Sequence, residues 1–167
     1  MAERRPRLRA VTNERDLRTV LGGFPSGVVA VCALRDGAPA GMAVSSFTSV
    51  SLEPALVSVC VSVTSRTWPE LRESPAVGIS VLAEGDGGIC RDLAGPAAER
   101  FGRVEWAPVD SGAVLLPGGV AWLECVVADE ILAGDHLVVL LGVRAVADYQ
   151  GERPLVFHRS RFRALAG

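Results

Sequence analysis

At 167 residues the chain is the size of one ordinary domain, and its net charge of −2 supplies no field that would gather nucleic acid or an anionic membrane surface. Its positive charge is carried by arginine alone, because no lysine occurs, so any phosphate must be met by guanidinium, backbone N–H or hydroxyl. The four cysteines, Cys32, Cys60, Cys90 and Cys125, are too scattered for a C-x-x-C pair or a Cys/His metal cluster, and read as free thiols with no metal site.

The opening segment Glu3-Arg4-Arg5-Pro6-Arg7-Leu8-Arg9 is basic and is followed by polar residues rather than an apolar leader. Residues 1–12 are therefore expected to form a disordered basic tail, with one domain over residues 13–167 and a cytoplasmic location. No apolar run is long enough to cross a bilayer. Asn13 is a good N-cap for a short amphipathic helix carrying Leu17, Val20 and Leu21 and ended by Gly22-Gly23.

Gly27 to Leu34 is a β-branched strand that turns at Asp36-Gly37 and returns as a second strand, Gly41 to Ser51, unusually rich in hydroxyls. Buried without partners those hydroxyls would cost about 1–3 kcal/mol each, so a polar ligand or water must satisfy them. Phe47 and Val50 are the residues of this strand expected in the core. Ala55 to Val63 continues the antiparallel set; Thr67 is placed to cap a short helix from Trp68 to Glu73, and Ala76 to Leu82 reads as another strand. Ile89 to Leu93 and Ala97 to Phe101 read as helical pieces, Val120 to Ile131 and Asp135 to Val146 as a long hairpin, and Pro154 to His158 as a last strand before a tail, Arg159 to Leu165. About seven strands, with three short helices in the connections, predict a mainly β fold, a closed antiparallel barrel covered at its ends by helices.

The chain has no G-x-S-x-G elbow, phosphate-binding P-loop or G-x-G-x-x-G turn after a strand. It has only two histidines, His136 and His158, and strand alternation is expected to point Asp135 away from His136, leaving no hydrolytic triad. Small polar residues recur instead at strand ends: Ser26-Gly27, Ser45-Ser46, and Ser62, Ser65, Arg66 and Thr67. Arg66 with the first N–H groups of the helix after Thr67 suits a phosphate. The same residues also read as a helix cap beside a solvated arginine.

In this order the pieces resemble the short-chain flavin reductases of the FMN-binding split-barrel superfamily, reductase components of two-component flavin-dependent monooxygenases. The resemblance rests on Phe24-Pro25-Ser26-Gly27-Val28, Gly41 to Pro54, Ser65-Arg66-Thr67, Val81-Leu82, Arg100-Phe101, Gly134-Asp135-His136 and Pro154 to Arg159. It departs at Glu53-Pro54-Ala55, where the family usually has a second proline or a small residue beside Pro54. It departs again at His158-Arg159-Ser160-Arg161-Phe162, which stands in place of a His-x-Gly-x-Tyr-like pattern.

The resemblance implies a split barrel that passes a hydride from NADH, or NADPH, to FMN or FAD and supplies reduced flavin to a partner monooxygenase. It implies that Val44, Ser45 and Ser46 meet the flavin ring and ribityl chain, with Ser51 of the same strand also on the flavin, that Ser26, Gly27 and Val28 border the ring, and that Ser62, Ser65, Arg66 and Thr67 hold the phosphate. His136, His158 and Arg159 would meet the nicotinamide nucleotide. A homodimer is also implied, with Trp122 and its strand either in the core or at the interface. Two other functions remain open on the same fold: a flavoprotein that keeps its flavin and acts on another substrate, and a non-enzymatic flavin- or haem-binding barrel.

Overall fold

The computed structural model describes residues 7–165; of the basic tail expected over residues 1–12, residues 1–6 lie outside the described residues, and Arg7 to Thr12 are exposed without regular structure. Helix α1 (Glu14–Leu21) starts at Asn13, whose Oδ1 accepts the Asp16 N–H at 2.8 Å. Its apolar stripe is present as expected, yet none of its side chains is buried, and Leu17, Val20 and Leu21 are all exposed.

After β1 (Ser26–Gly27), β2 (Val29–Arg35) and β3 (Ala38–Val44) form a hairpin on the two-residue loop Asp36-Gly37, with φ of 52° and 80°. Both central residues are left-handed, as the type I′ turn of a tight hairpin requires. The chain continues through β4 (Thr48–Leu52), β5 (Ala55–Ser62), α2 (Trp68–Arg72), β6 (Val77–Val81), α3 (Gly87–Leu93) and a 3₁₀ turn at Ala97–Glu99. It ends with β7 (Ala107–Pro108), β8 (Val114–Leu115), β9 (Ala121–Ala133), β10 (His136–Asp148), β11 (Val156–His158) and β12 (Arg161–Arg163). The short β7–β8 pair and β12 were not expected from the sequence; they contain two or three residues each, too few for a periodic signal.

Seven strands form one antiparallel sheet in the order β3-β2-β6-β9-β10-β5-β4. Its two edge strands, β3 and β4, are consecutive in the chain and joined by Ser45-Ser46-Phe47 alone. Laid flat, seven strands would be about 29 Å wide at the usual spacing. The link from Val44 to Thr48 reaches at most about 14 Å. The sheet therefore has to roll into a barrel, with β3 and β5 facing each other across the closing seam. The expected continuous strand Gly41 to Ser51 is broken here, and this corrects the sequence reading. Phe47 packs against the core, whereas Val50 sits at the bulge between Ser49 and Ser51 on the open edge strand and is 48% exposed. The β4 hydroxyls are satisfied by their edge position rather than by burial.

Alternate residues of β2, and Val28 just before it, serve two cores. Val29, Val31 and Ala33 point into the barrel with Val57, Val59, Val61, Ile79, Val139 and Leu141, and Trp68 and Leu71 of α2 join them. Val28, Ala30 and Cys32 point outward under Leu93 of α3, Val114, Leu116 and Leu155. Burial on both faces explains why β2 is a continuous apolar run. Glu130 fastens α2 to the barrel wall: Trp68 Nε1 donates to its Oε1 at 2.6 Å, and Arg72 lies 2.8 Å from its Oε2.

A second small sheet, β1-β11-β12, packs beside the barrel. Its β11–β12 hairpin turns at Arg159-Ser160, with φ of 49° and 59°. This is the same left-handed pair as Asp36-Gly37 but with no glycine, so the turn carries strain that a glycine at 160 would relieve. Ser160→Gly is expected to raise the unfolding free energy by about 0.5–1 kcal/mol, the left-handed penalty less the extra entropy of glycine. Urea denaturation measures it, and an unchanged or lower midpoint would contradict the reading of this turn.

Candidate functional site

At the seam between β3 and β5 the barrel wall lacks a complete ladder, and one side chain bridges it. Ser46 Oγ accepts the Cys60 N–H at 2.8 Å and donates to the Cys60 C=O at 3.0 Å, replacing both bonds a strand neighbour would make. The hydroxyl that the sequence offered to a ligand is thus already spent within the protein. Ser45, next along, is exposed and stands between two grooves.

The first groove, of about 370 Å³, follows the seam and is lined by Val44, Ser45 and Ser46 from the β3 side, Ser62 and Ser65 from the β5 side, and His136. His136 opens β10 directly opposite Ser62, so the strand register itself brings a proposed nicotinamide residue beside a proposed flavin residue. The second groove, of about 730 Å³, lies between the Ser45–Thr48 crossing, the end of α1, and the β11–β12 hairpin; Ser26, Gly27 and Arg159 line it, as do Arg18 and Phe24. The backbone N–H of Arg159 donates to the Gly22 C=O at 2.9 Å and ties that hairpin to α1.

Arg66 and Thr67 line a third cavity of about 340 Å³ rather than the seam. Val28 is 3% exposed and belongs to the outer core; with Val44, Ser45 and Phe162 it borders a small apolar pocket of about 140 Å³. Ser51, in β4, and His158, half-buried in β11 opposite Arg161, are outside the residues lining these cavities. The seam thus gathers Val44, Ser45, Ser46, Ser62, Ser65 and His136, and the neighbouring cavities take Ser26, Gly27, Arg159, Arg66 and Thr67.

Two local expectations are corrected. Helix α2 is five residues long; Pro69 has no N–H, and the Trp68 N–H is taken by Ser65 Oγ at 3.2 Å. Ser65, not Thr67, supplies the cap, and these helix-start N–H groups are not free for an anion. Asp135 also does not point away from His136: its Oδ1 lies 2.7 Å from His136 Nδ1. Gly134 at φ 65° opens the tight β9–β10 turn, which takes Asp135 out of strand alternation. The hydrogen bond from His136, then its charge, holds the Asp135 carboxyl below the usual carboxylate range. A carboxylate only accepts, so Nδ1 carries the hydrogen and Nε2 is the ring nitrogen left for a ligand.

Arg100 belongs to one of the segments that carry the resemblance, which implies no role for it. Its Nη1 donates to the Gly41 C=O at 2.9 Å and to Thr67 Oγ1 at 2.6 Å, and its Nε donates to the Gly95 C=O at 2.9 Å. Gly41 has to be glycine for this packing, because a Cβ would collide with Cys32 Sγ and stand 3.0 Å from the Phe101 ring. The Arg100 contacts span up to 59 residues of sequence, so no local pattern could reveal them. Burial pushes the Cys32 and Cys125 thiols up to about 12, which removes both as nucleophiles at neutral pH.

Residues 21–166 match the family model described as a flavin reductase like domain. The chain belongs to this family. It is 34% identical over 148 residues to the reductase subunit of a flavin-dependent monooxygenase from Rhodococcus jostii, covering 89% of this chain and 76% of that one. It is 34% identical over 160 residues to a flavin reductase from Pseudomonas putida, covering 95% and 94%. Among solved structures it superposes with TM-score 0.89 on a Streptomyces globisporus NADH:FAD oxidoreductase in complex with NAD and FAD fragments, at 34% identity and 96% and 98% coverage. The fold of this flavin reductase-like chain is thus the split barrel expected from its sequence.

Ser46→Ala is expected to cost about 1–3 kcal/mol, because it strands the Cys60 N–H and C=O at the seam. Ser45→Ala, at an exposed position, is expected to stay within about 0.5 kcal/mol. Comparing urea midpoints tests the assignment; equal effects would contradict it.

Proposed function

We propose that the chain is an NADH:flavin oxidoreductase that takes up FMN or FAD at the barrel seam, releases it reduced, and acts in the cytoplasm as supplier to a partner flavin-dependent monooxygenase. The observation that carries this reading is the pair of adjoining grooves meeting at Ser45-Ser46, large enough together for two nucleotides and lined by hydroxyls and backbone. Bound side by side there, a reduced nicotinamide supplies the hydride and the flavin accepts it, so the chemistry belongs to the two nucleotides. The chain's contribution is alignment and the exclusion of water from the facing rings.

Val44, Ser45 and Ser46 would offer backbone groups and the Ser45 hydroxyl to the ring and ribityl chain. Gly27, with no atoms where a Cβ would stand, leaves room for a flat ring beside Ser26. Ser62 and Ser65 would take the ribityl and phosphate oxygens, with Arg66 and Thr67 at the phosphate end. His136 would accept from the nicotinamide carboxamide through Nε2, held in place by Asp135, and Arg159 would pair with the nicotinamide nucleotide's phosphates. Ser45, Gly27 and Arg159 are all exposed, which supports a flavin that exchanges rather than one held permanently. The Streptomyces globisporus structure, an NADH:FAD oxidoreductase, supports NADH as donor. A homodimer is part of the proposal: Leu17, Val20, Leu21 and Phe24 leave an apolar strip beside the larger groove that a second copy would cover.

In steady-state NADH oxidation, Arg66→Ala is expected to raise the KM for FMN about tenfold and leave riboflavin within about twofold, the loss of one exposed charge-assisted contact. Equal loss for both would remove Arg66 from the phosphate site. His136→Ala is expected to raise the KM for NADH by about fivefold to tenfold without changing flavin KM, as for one lost hydrogen bond. A change confined to flavin would move His136 to the flavin side.

A further inference from the structure

We infer that the cavity past Arg66 takes the adenylate half of FAD and makes the chain discriminate FAD from FMN. The inference rests on the flavin reading above and deepens it. Two chain segments run from the seam groove into this cavity. Along β3, Met42 to Ser46 line the seam and Pro39 to Gly41 line the cavity; after β5, Ser62 and Ser65 line the seam and Arg66 and Thr67 the cavity. The two spaces therefore lie end to end, with Arg66 and Thr67 at their junction, where the flavin's phosphate is proposed to sit.

Beyond that junction the cavity holds about 340 Å³, a ligand-sized space that a terminal phosphate would leave mostly unfilled. Its chemistry suits a nucleotide. A second guanidinium, Arg100, is fixed in orientation by its bonds to Gly41, Gly95 and Thr67, and among the described residues its Nη2 has no hydrogen bond. Because Thr67 Oγ1 already accepts from Arg100, the Thr67 hydrogen is directed elsewhere and can be donated to an anion. Arg66 and Arg100 together match a diphosphate better than one phosphate. Pro39, Pro96 and Phe101 supply apolar faces for a purine, and the exposed Glu70 carboxylate at the rim can accept from ribose hydroxyls.

Ala97 gives a clean test, because it lines this cavity from the exposed 3₁₀ turn and is not among the residues bonded to Arg100. Flavin binding to the full-length protein, followed by fluorescence titration with FAD and FMN, is expected to give a Kd at least about tenfold lower for FAD. Ala97→Trp, which fills the cavity, and Ala97→Glu, which repels a diphosphate without bulk, are each expected to weaken FAD about tenfold and leave FMN within about twofold. Equal wild-type affinities, or variants that weaken both flavins alike, would overturn the inference while NADH-dependent reduction of both flavins would leave the reductase reading standing. A protein that binds neither flavin would overturn both.

Discussion

Three residues, Ser45-Ser46-Phe47, join opposite edges of a seven-stranded sheet, and that short link is the constraint on which the rest depends. It forces the sheet to close, and it closes imperfectly, because β3 and β5 meet without a full ladder. Ser46 bonds both backbone groups of Cys60 and holds the two sides at a fixed spacing. A barrel sealed by continuous pairing would have no such opening. The seam is where a planar ligand can approach backbone groups and hydroxyls from outside while the apolar barrel interior stays packed with valine, isoleucine and leucine.

Around the seam, each wall is fixed by a separate long-range contact. Glu130 holds α2 through the Trp68 indole and Arg72, which in turn sets the Ser65–Thr67 segment just before that helix. Arg100 draws the Gly95–Glu99 loop onto β3 and Thr67. The Arg159–Gly22 bond joins the terminal hairpin to α1 on the other side. These contacts replace regular secondary structure as the organisers of the site, since nearly all of the lining residues lie at strand ends or in connections. Such positions combine exposure with a rigid scaffold beneath them.

Much of the barrel was legible in one dimension. The apolar runs of β2, β5, β6, β9 and β10, the Asp36-Gly37 turn and the Asn13 cap are local patterns, and the structure has them within a few residues. The break after Val44 was not legible, because Ser45-Ser46-Phe47-Thr48 has no glycine or proline to mark a change of strand. Alternation suggested that Asp135 and His136 diverge, but the Gly134 turn suspends alternation at that point. The helix cap goes to Ser65 instead of Thr67 because the Thr67 backbone is already helical, at φ −85° and ψ −39°, rather than extended as a capping residue's is. Ser51 and His158 stand apart from the grooves where the other residues gather, Ser51 in the edge strand β4 and His158 in β11.

Among the described residues no nucleophile is assembled with a base, and the proposed task of aligning two nucleotides asks for none. The most direct test mixes the purified protein anaerobically with equimolar NADH and oxidised flavin and follows loss of oxidised-flavin absorbance beside a protein-free control. The expected result is complete bleaching, one flavin for each NADH consumed, much faster than in the control. Flavin that binds but bleaches no faster than without protein would contradict the proposed function.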